Sequence, residues 1–164
     1  MHESRKPHWD VALRVLRYIK GTLDQVLLFP SINNFDLKAF CDSDWAGCNV
    51  TRRSITRYCI FLRDFLISWK SKKQTNVSRS SAMAKYRAME NTCLELTWLH
   101  YILQDLKVTK SSLMSLFCDN QAILYIATNL VFNEHTKHID VNCHILWEKL
   151  QVGLISPSYM PTHI

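Results

Sequence analysis

Three glycines serve 164 residues, so few turns can rest on glycine's freedom to adopt positive φ. No C-x-x-C pair occurs among the six cysteines, Cys41, Cys48, Cys59, Cys93, Cys118 and Cys143. Several lie in apolar runs, which fits buried, reduced thiols better than a disulfide framework. No apolar run approaches the roughly 20 residues that cross a bilayer. The most apolar segment, Tyr58 to Trp69, is broken by Arg63-Asp64. No signal-peptide pattern opens the sequence. A soluble intracellular protein is expected, in a cytoplasmic particle or the nucleus. Acidic residues are missing from Lys70 to Met89, where Lys70, Lys72, Lys73, Arg79, Lys85 and Arg87 fall. That stretch carries the equivalent of the whole formal charge of +6. A local basic patch suits a polyanion such as nucleic acid, although a solvated basic face has the same composition.

What is present reads as one α/β unit of ordinary globular balance, 48% hydrophobic and 21% charged. Trp9, Ala12, Leu16 and Ile19 recur at helical spacing over 7–20, with Gly21 as a stop. Phe35, Leu37, Ala39 and Cys41 alternate with polar neighbours, a strand that delivers Asp42 at its end. Residues 57–63 and 65–69 predict two further strands joined at Arg63-Asp64. The stripe Ala82, Tyr86, Met89, Cys93, Leu96, Leu99 and Leu103 predicts a helix over 79–105. A strand over 113–118 ends at Asp119, and helices are expected over 121–127 and 139–151. A last strand over 154–160 contains Pro157, which restricts it to an edge or a bulge. Three antiparallel strands followed by αβ units predict a mixed five-stranded sheet flanked by helices.

Asp42, in CDSDWAG, and Asp119, in FCDNQA, each close a predicted strand. Carboxylates at adjacent strand ends can converge on Mg²⁺. Two such ions about 3.5–4 Å apart can activate water and stabilise the leaving oxygen of a phosphodiester. Aspartates are also common in turns and helix caps, so two alone decide little.

Longer stretches carry a resemblance. HWDVALRVLRYIKGT is similar to the segment that closes the reverse transcriptase region of copia-type retrotransposon polyproteins. CDSDWAGCNVTRRSITRYCIFL, ISWKSKKQTNVSRSSA, LFCDNQAILYIATNLVF, TKHIDVNCH and GLISPSYMP resemble, in order, the ribonuclease H blocks of that family. The resemblance implies a ribonuclease H-like fold over 31–164, after the end of the reverse transcriptase region or a connecting helix over 1–30. It implies hydrolysis of RNA in RNA–DNA hybrids during reverse transcription, by two Mg²⁺ ions held by four acidic residues. Asp42 matches the first of these and Asp119 the third. The reverse transcriptase portion of the same polyprotein is the implied protein partner.

Two departures stand out. The family block S-A-E-A-E-Y-R-A-L here reads Ser81-Ala82-Met83-Ala84-Lys85-Tyr86-Arg87-Ala88-Met89. Lys85 stands at the catalytic glutamate's position. Its repulsion by a nearby positive charge is on the order of 4 kcal/mol at ~4 Å in an effective dielectric near 20. Glu90 cannot substitute, because five helical residues rotate it by about 140° from Lys85. The family's fourth aspartate lies in an A-D-x-x-T-K segment after the last strand, and the sequence ends at Ile164 before it. The expectation is a C-terminally truncated domain without its last helix, with weakened Mg²⁺ binding and impaired cleavage. Asp140 is a poor stand-in. Arg57, Arg63 and Asp64 replace glycines usual in the family. A non-catalytic nucleic-acid-binding remnant and an unstable pseudogene product are the alternatives.

Other residues have two readings. Trp45 and Gly47 shape or pack the loop beside Asp42, and Asp44 is either a supporting carboxylate or a solvated one. Arg52, Arg53 and Ser54 suit phosphate, or a basic turn. Lys70, Lys72, Lys73, Gln74 and Ser78, expected between a strand and the long helix, suit contact with a hybrid backbone. Asn120 and Gln121 could bond a nucleic-acid strand, or Asn120 could cap a helix. His135, His138, Cys143 and His144 lack the two separated pairs of a structural zinc site.

Overall fold

The computed structural model describes residues 5–23, 25, 35–108, 113–128 and 143–161. The chain separates into two compact units, Met1–Ile32 and Asn33–Ile164. The first holds the predicted helix α1 (Lys6–Lys20). Pro7 sits in its first turn, where a missing N–H leaves no helical bond unmade, and Gly21 caps its end.

The second unit runs β1 (Leu37–Asp44), β2 (Ile55–Leu62), β3 (Phe65–Lys73), α2 (Ser81–Asp105), β4 (Met114–Cys118), α3 (Gln121–Thr128), α4 (Cys143–Gln151) and β5 (Ile155–Tyr159). The strands form one five-stranded sheet in the order β3-β2-β1-β4-β5. β1, β2 and β3 pair antiparallel, whereas β4 lies parallel to both β1 and β5. The predicted mixed sheet is therefore observed. Pro157 falls in β5, at the sheet edge, where its missing N–H is tolerated. Asp140, His135 and His138 lie outside the described residues.

Period-2 alternation sorts the β1 side chains. Leu37, Ala39 and Cys41 are buried against Tyr86, Met89, Cys93 and Leu96 of α2 in one continuous core. Ala82, Leu99 and Leu103 extend the same helical stripe at its margins. On the opposite face of the sheet Phe40 stacks on Phe117, ring centroids 5.0 Å apart, and meets Phe61 edge-on at 5.7 Å. The helix α2 begins where Ser80 Oγ accepts a hydrogen bond from the Met83 amide at 3.1 Å. That bond satisfies one of the first-turn donors that no helical carbonyl can reach.

One expectation needs correction. Residues 70–73 were expected in a loop, yet β3 continues through them to Lys73. Their partners in β2 are Ile55 to Tyr58, so β2 also begins earlier than its apolar pattern indicates. Backbone pairing at an edge tolerates lysine, since its side chain reaches water; hydropathy alone therefore hides the strand.

The shortage of glycine is met by other residues in the left-handed region. Ala46, Arg52, Arg63 and Lys107 have φ of 53°, 52°, 57° and 57°. Arg63 opens the β2–β3 turn, its amide donates to the Asp36 carbonyl at 2.7 Å, and its buried Nη1 finds no partner. A side chain costs about 1–2 kcal/mol in this conformation, and glycine's extra chain entropy returns part of that. Arg63→Gly should therefore stabilise the fold by roughly 0.5–1 kcal/mol, read from urea unfolding. A loss of stability would show that the arginine stem contributes more than its strain costs.

Candidate functional site

Parallel pairing fixes the site. Cys41 of β1 lies opposite Cys118 of β4, so Asp42 and Asp119, the next residues, emerge at the same end of the sheet. The first turns of α2 bring Lys85 to that end. Its Nζ donates to both carboxylate oxygens of Asp119 and stands 3.3 Å from Asp42 Oδ1. The Lys85 side chain retains 16% of its exposure, Asp119 23% and Asp42 49%. Burial alone would lower the lysine's pKa. The hydrogen bond to Asp119 and the charges of Asp119 and Asp42 outweigh it, so the net shift is upward.

This arrangement does not fit a pair of Mg²⁺ ions. The oxygens that would bind metal are bonded to an ammonium, and among the described residues no three His, Cys, Asp or Glu side chains gather closely enough to hold an ion. Glu90 belongs to a different part of the surface from the Asp42 cavity. It is buried and lines a cavity of about 240 Å³ with Thr56, Lys70, Lys72 and Arg87.

A second ion pair lies in the strands beside Asp42. Arg57, on β2 opposite Asp42, places its guanidinium 3.3 Å from Asp44 Oδ2. The sequence had marked Arg57 only as a replaced glycine. A side chain on Gly47 would meet the same Asp44 carboxylate, which would have to swing aside to admit it. Trp45 is half-exposed, and its Nε1 donates to the Ser78 carbonyl at 3.0 Å, tying the β1–β2 loop to the segment before α2.

The basic strip divides into solvent-facing and internal members. Lys70, Lys72 and Lys73 are exposed on β3, and Lys70 Nζ lies 5.8 Å from the centre of the Tyr58 ring. Gln74 is buried instead. Its Nε2 donates to Thr56 Oγ1 at 3.1 Å and to the Ala84 carbonyl at 2.9 Å, and its Oε1 accepts from Ser78 Oγ at 2.9 Å. Both ends of the amide are thus used inside the fold. Gln74 and the buried Ser78 join β3 to α2, a role that no local pattern reveals. Arg52 and Arg53 are exposed in the β1–β2 loop, where buried Ser54 Oγ accepts from the Ala46 amide at 3.2 Å. Asn120 Oδ1 accepts from the Ile123 amide at 3.1 Å and so caps α3, while Gln121 is exposed at that helix's first position.

The cysteines differ sharply. Hydrogen bonds from Thr51, assisted by Lys73, lower Cys48 from its usual 9.0 to about 6. Burial raises Cys93 to about 11. The neighbouring Cys41 and Cys118 thiols shift each other, lowering Cys118 to about 7 and raising Cys41 well above its ordinary value. Thiolate is the alkylated species. The native protein should accordingly react with iodoacetamide first at Cys48, with a half-maximal rate near pH 6. Peptide mapping over a pH series checks this, and a midpoint near the ordinary 9.0 would contradict the Thr51–Lys73 environment.

No family model matches the sequence. The chain is 37% identical over 163 residues to the retrovirus-related Pol polyprotein from transposon RE2 of Arabidopsis thaliana, an alignment of 99% of this chain and 11% of that protein. It is 35% identical over 143 residues to the Pol polyprotein from transposon TNT 1-94 of Nicotiana tabacum, covering 87% of this chain and again 11% of the relative. The chain thus spans about a ninth of these polyproteins' length, 11% in each case. Among solved structures it resembles LC11-RNase H1, isolated from compost by a metagenomic approach, with a TM-score of 0.53 at 14% identity over 80% of this chain and 86% of that one. The same enzyme in complex with an RNA/DNA hybrid gives 0.52 at 11% identity over 77% and 86%. The chain is homologous over 99% of its length to the retrovirus-related Pol polyproteins of copia-type transposons, and its fold is ribonuclease H-like.

Proposed function

We propose that residues 31–164 act as a ribonuclease H-like domain that holds RNA–DNA hybrid but does not cut it. In this reading residues 1–30 end a reverse transcriptase region, the protein partner within the polyprotein. The observation that carries the proposal is Lys85 Nζ bonded to Asp119 and standing 3.3 Å from Asp42. A two-metal nuclease needs those carboxylates free to coordinate cations that stabilise both the attacking and leaving oxygens. Here the cation is part of the chain, carries one charge and has no open coordination position. Mg²⁺ must displace it against both Coulomb repulsion and the loss of charge-assisted hydrogen bonds.

Binding does not require that displacement. Lys85 already neutralises part of the carboxylate charge that would repel phosphate. Lys70, Lys72 and Lys73 on β3, with Arg52 and Arg53, offer phosphate contacts, which dominate nucleic-acid affinity and make it salt-dependent. Asn120 and Gln121 border Asp119 and are placed to meet a strand at the site. Gln74 contributes indirectly, by holding the end of β3 against α2. Among the described residues no helix is long and apolar enough to cross a membrane.

Wild-type protein should shift a labelled RNA–DNA hybrid without cleaving it, with or without Mg²⁺. Mg²⁺-dependent cleavage that disappears in Asp42→Asn would overturn the proposal. Removing Lys70, Lys72 and Lys73 together should lower the slope of log affinity against log salt by about 2–3. An unchanged slope would remove the strip from the interface.

Lys85 also couples pH to stability. Its pKa is raised in the fold, so its stabilisation is complete below the ordinary value of 10.5 and is lost as pH rises through the higher folded value. Lys85→Met should cost about 1.5–3 kcal/mol at neutral pH, and the deficit should shrink in strongly alkaline buffer. Lys85→Glu should instead make the thermal midpoint rise with added Mg²⁺, since a third carboxylate converts the ion pair into a cation site. A midpoint insensitive to Mg²⁺ would show that Lys85 is not what keeps metal out.

A further inference from the structure

Two thiols lie directly beneath the Lys85 centre. Cys41 and Cys118 are Cα partners in the parallel strands β1 and β4. Neighbouring strands run about 4.8 Å apart, inside the window of roughly 4.4–6.8 Å between Cα atoms that a disulfide spans. Both side chains are in the core, with 6% and 2% of their surface exposed, so they project to the same face of the sheet. Cys41 Sγ reaches across to β4, donating to the Phe117 carbonyl at 3.5 Å, and Cys118 Sγ lies 3.9 Å from Asp119 Oδ1. Cys41 and Cys118 also border a cavity of about 220 Å³ whose other lining is Phe40, Asp42, Phe117, Asp119, Met160 and Pro161. Cys48, Cys59 and Cys93 have no such partner across a strand.

We propose that Cys41 and Cys118 form a reversible disulfide, a redox latch between β1 and β4. The oxidant is a low-molecular-weight disulfide such as oxidised glutathione. One cysteine sulfur attacks it, giving a mixed disulfide and releasing one small thiol. The second cysteine sulfur then attacks the protein-bound sulfur and releases the other small thiol. The two protein thiols lose two electrons and two protons, and the reagent's S–S bond takes up both pairs. The bond ties together the strand ends from which Asp42 and Asp119 emerge. Oxidation therefore restrains the carboxylates that hold Lys85, and reduction releases them.

The test uses the full chain carrying Cys48→Ser, because Cys41 and Cys48 share the tryptic peptide Ala39–Arg52. Native protein is equilibrated with oxidised glutathione, quenched in acid and digested without reduction. The expected product joins that peptide to Ser111–Lys137, which contains Cys118, with a mass lower by two hydrogens and full reversal by dithiothreitol. The linked species should be lost in both Cys41→Ser and Cys118→Ser. Should a serine variant misfold by circular dichroism, differential alkylation of the parent protein in denaturant decides instead: Cys41 and Cys118 must become protected together and in equal amount. Thiols that stay reduced, glutathione adducts that never resolve, or a link that persists in Cys41→Ser would each overturn the proposal. None of these readouts depends on nucleic-acid binding.

Discussion

Between the C-terminal ends of β1 and β4 two carboxylates stand side by side, and the Lys85 ammonium is what allows them to. Like charges this close repel one another, and partial burial weakens the screening that water would supply. A divalent ion would solve the problem from outside the chain. Here the helix solves it from within, through a side chain that also fixes where α2 meets the sheet. The ion pair thus joins three elements, β1, β4 and α2, that are far apart in sequence. The core beneath, from Cys41 and Cys118 to Tyr86 and Met89, is built on the same three.

The parts of this picture that were legible beforehand share a cause. Strand alternation put Asp42 and Asp119 at strand ends, and the helical stripe put Tyr86, Met89, Cys93 and Leu96 in the core. These are one-dimensional patterns, set by the periods of backbone geometry. Lys85 stood out because the surrounding letters resemble a block in which a carboxylate is usual. Its bond to Asp119 could not be read, since the meaning of a charge depends on what faces it. β3 was read too short because lysines at a sheet edge resemble a loop in composition. Gln74 was misjudged for the opposite reason: a polar residue among lysines reads as surface, yet tertiary contacts at Thr56, Ser78 and Ala84 consume its amide.

Gln74 and Trp45 deserve comparison. Each uses a polar group to bridge elements that approach the site from different directions: Gln74 from β3 to α2, and Trp45 from the β1–β2 loop to Ser78. Ser78 meets both: its hydroxyl donates to Gln74 and its carbonyl accepts from Trp45. The exposed basic side chains therefore stand on a frame held by neutral hydrogen bonds. Such bonds do not weaken with salt as charge pairs do. Ionic strength can accordingly change affinity for a polyanion while leaving the shape of the surface that presents it intact.

β3 is an outer strand of the sheet, and its exposed end is the lysine-rich one. An outer strand offers unpaired backbone donors and acceptors to any passing chain, and a flat apolar one invites copies of itself to add on. Lys70, Lys72 and Lys73 oppose that outcome, because a second copy pairing there would bring like charges into register. The charges that suit a phosphate backbone thereby also discourage self-association through the strand. A variant stripped of them would lose more than a ligand contact: it would leave a bare sheet edge, and its first fault would be in the test tube, as aggregation at concentrations the parent chain tolerates.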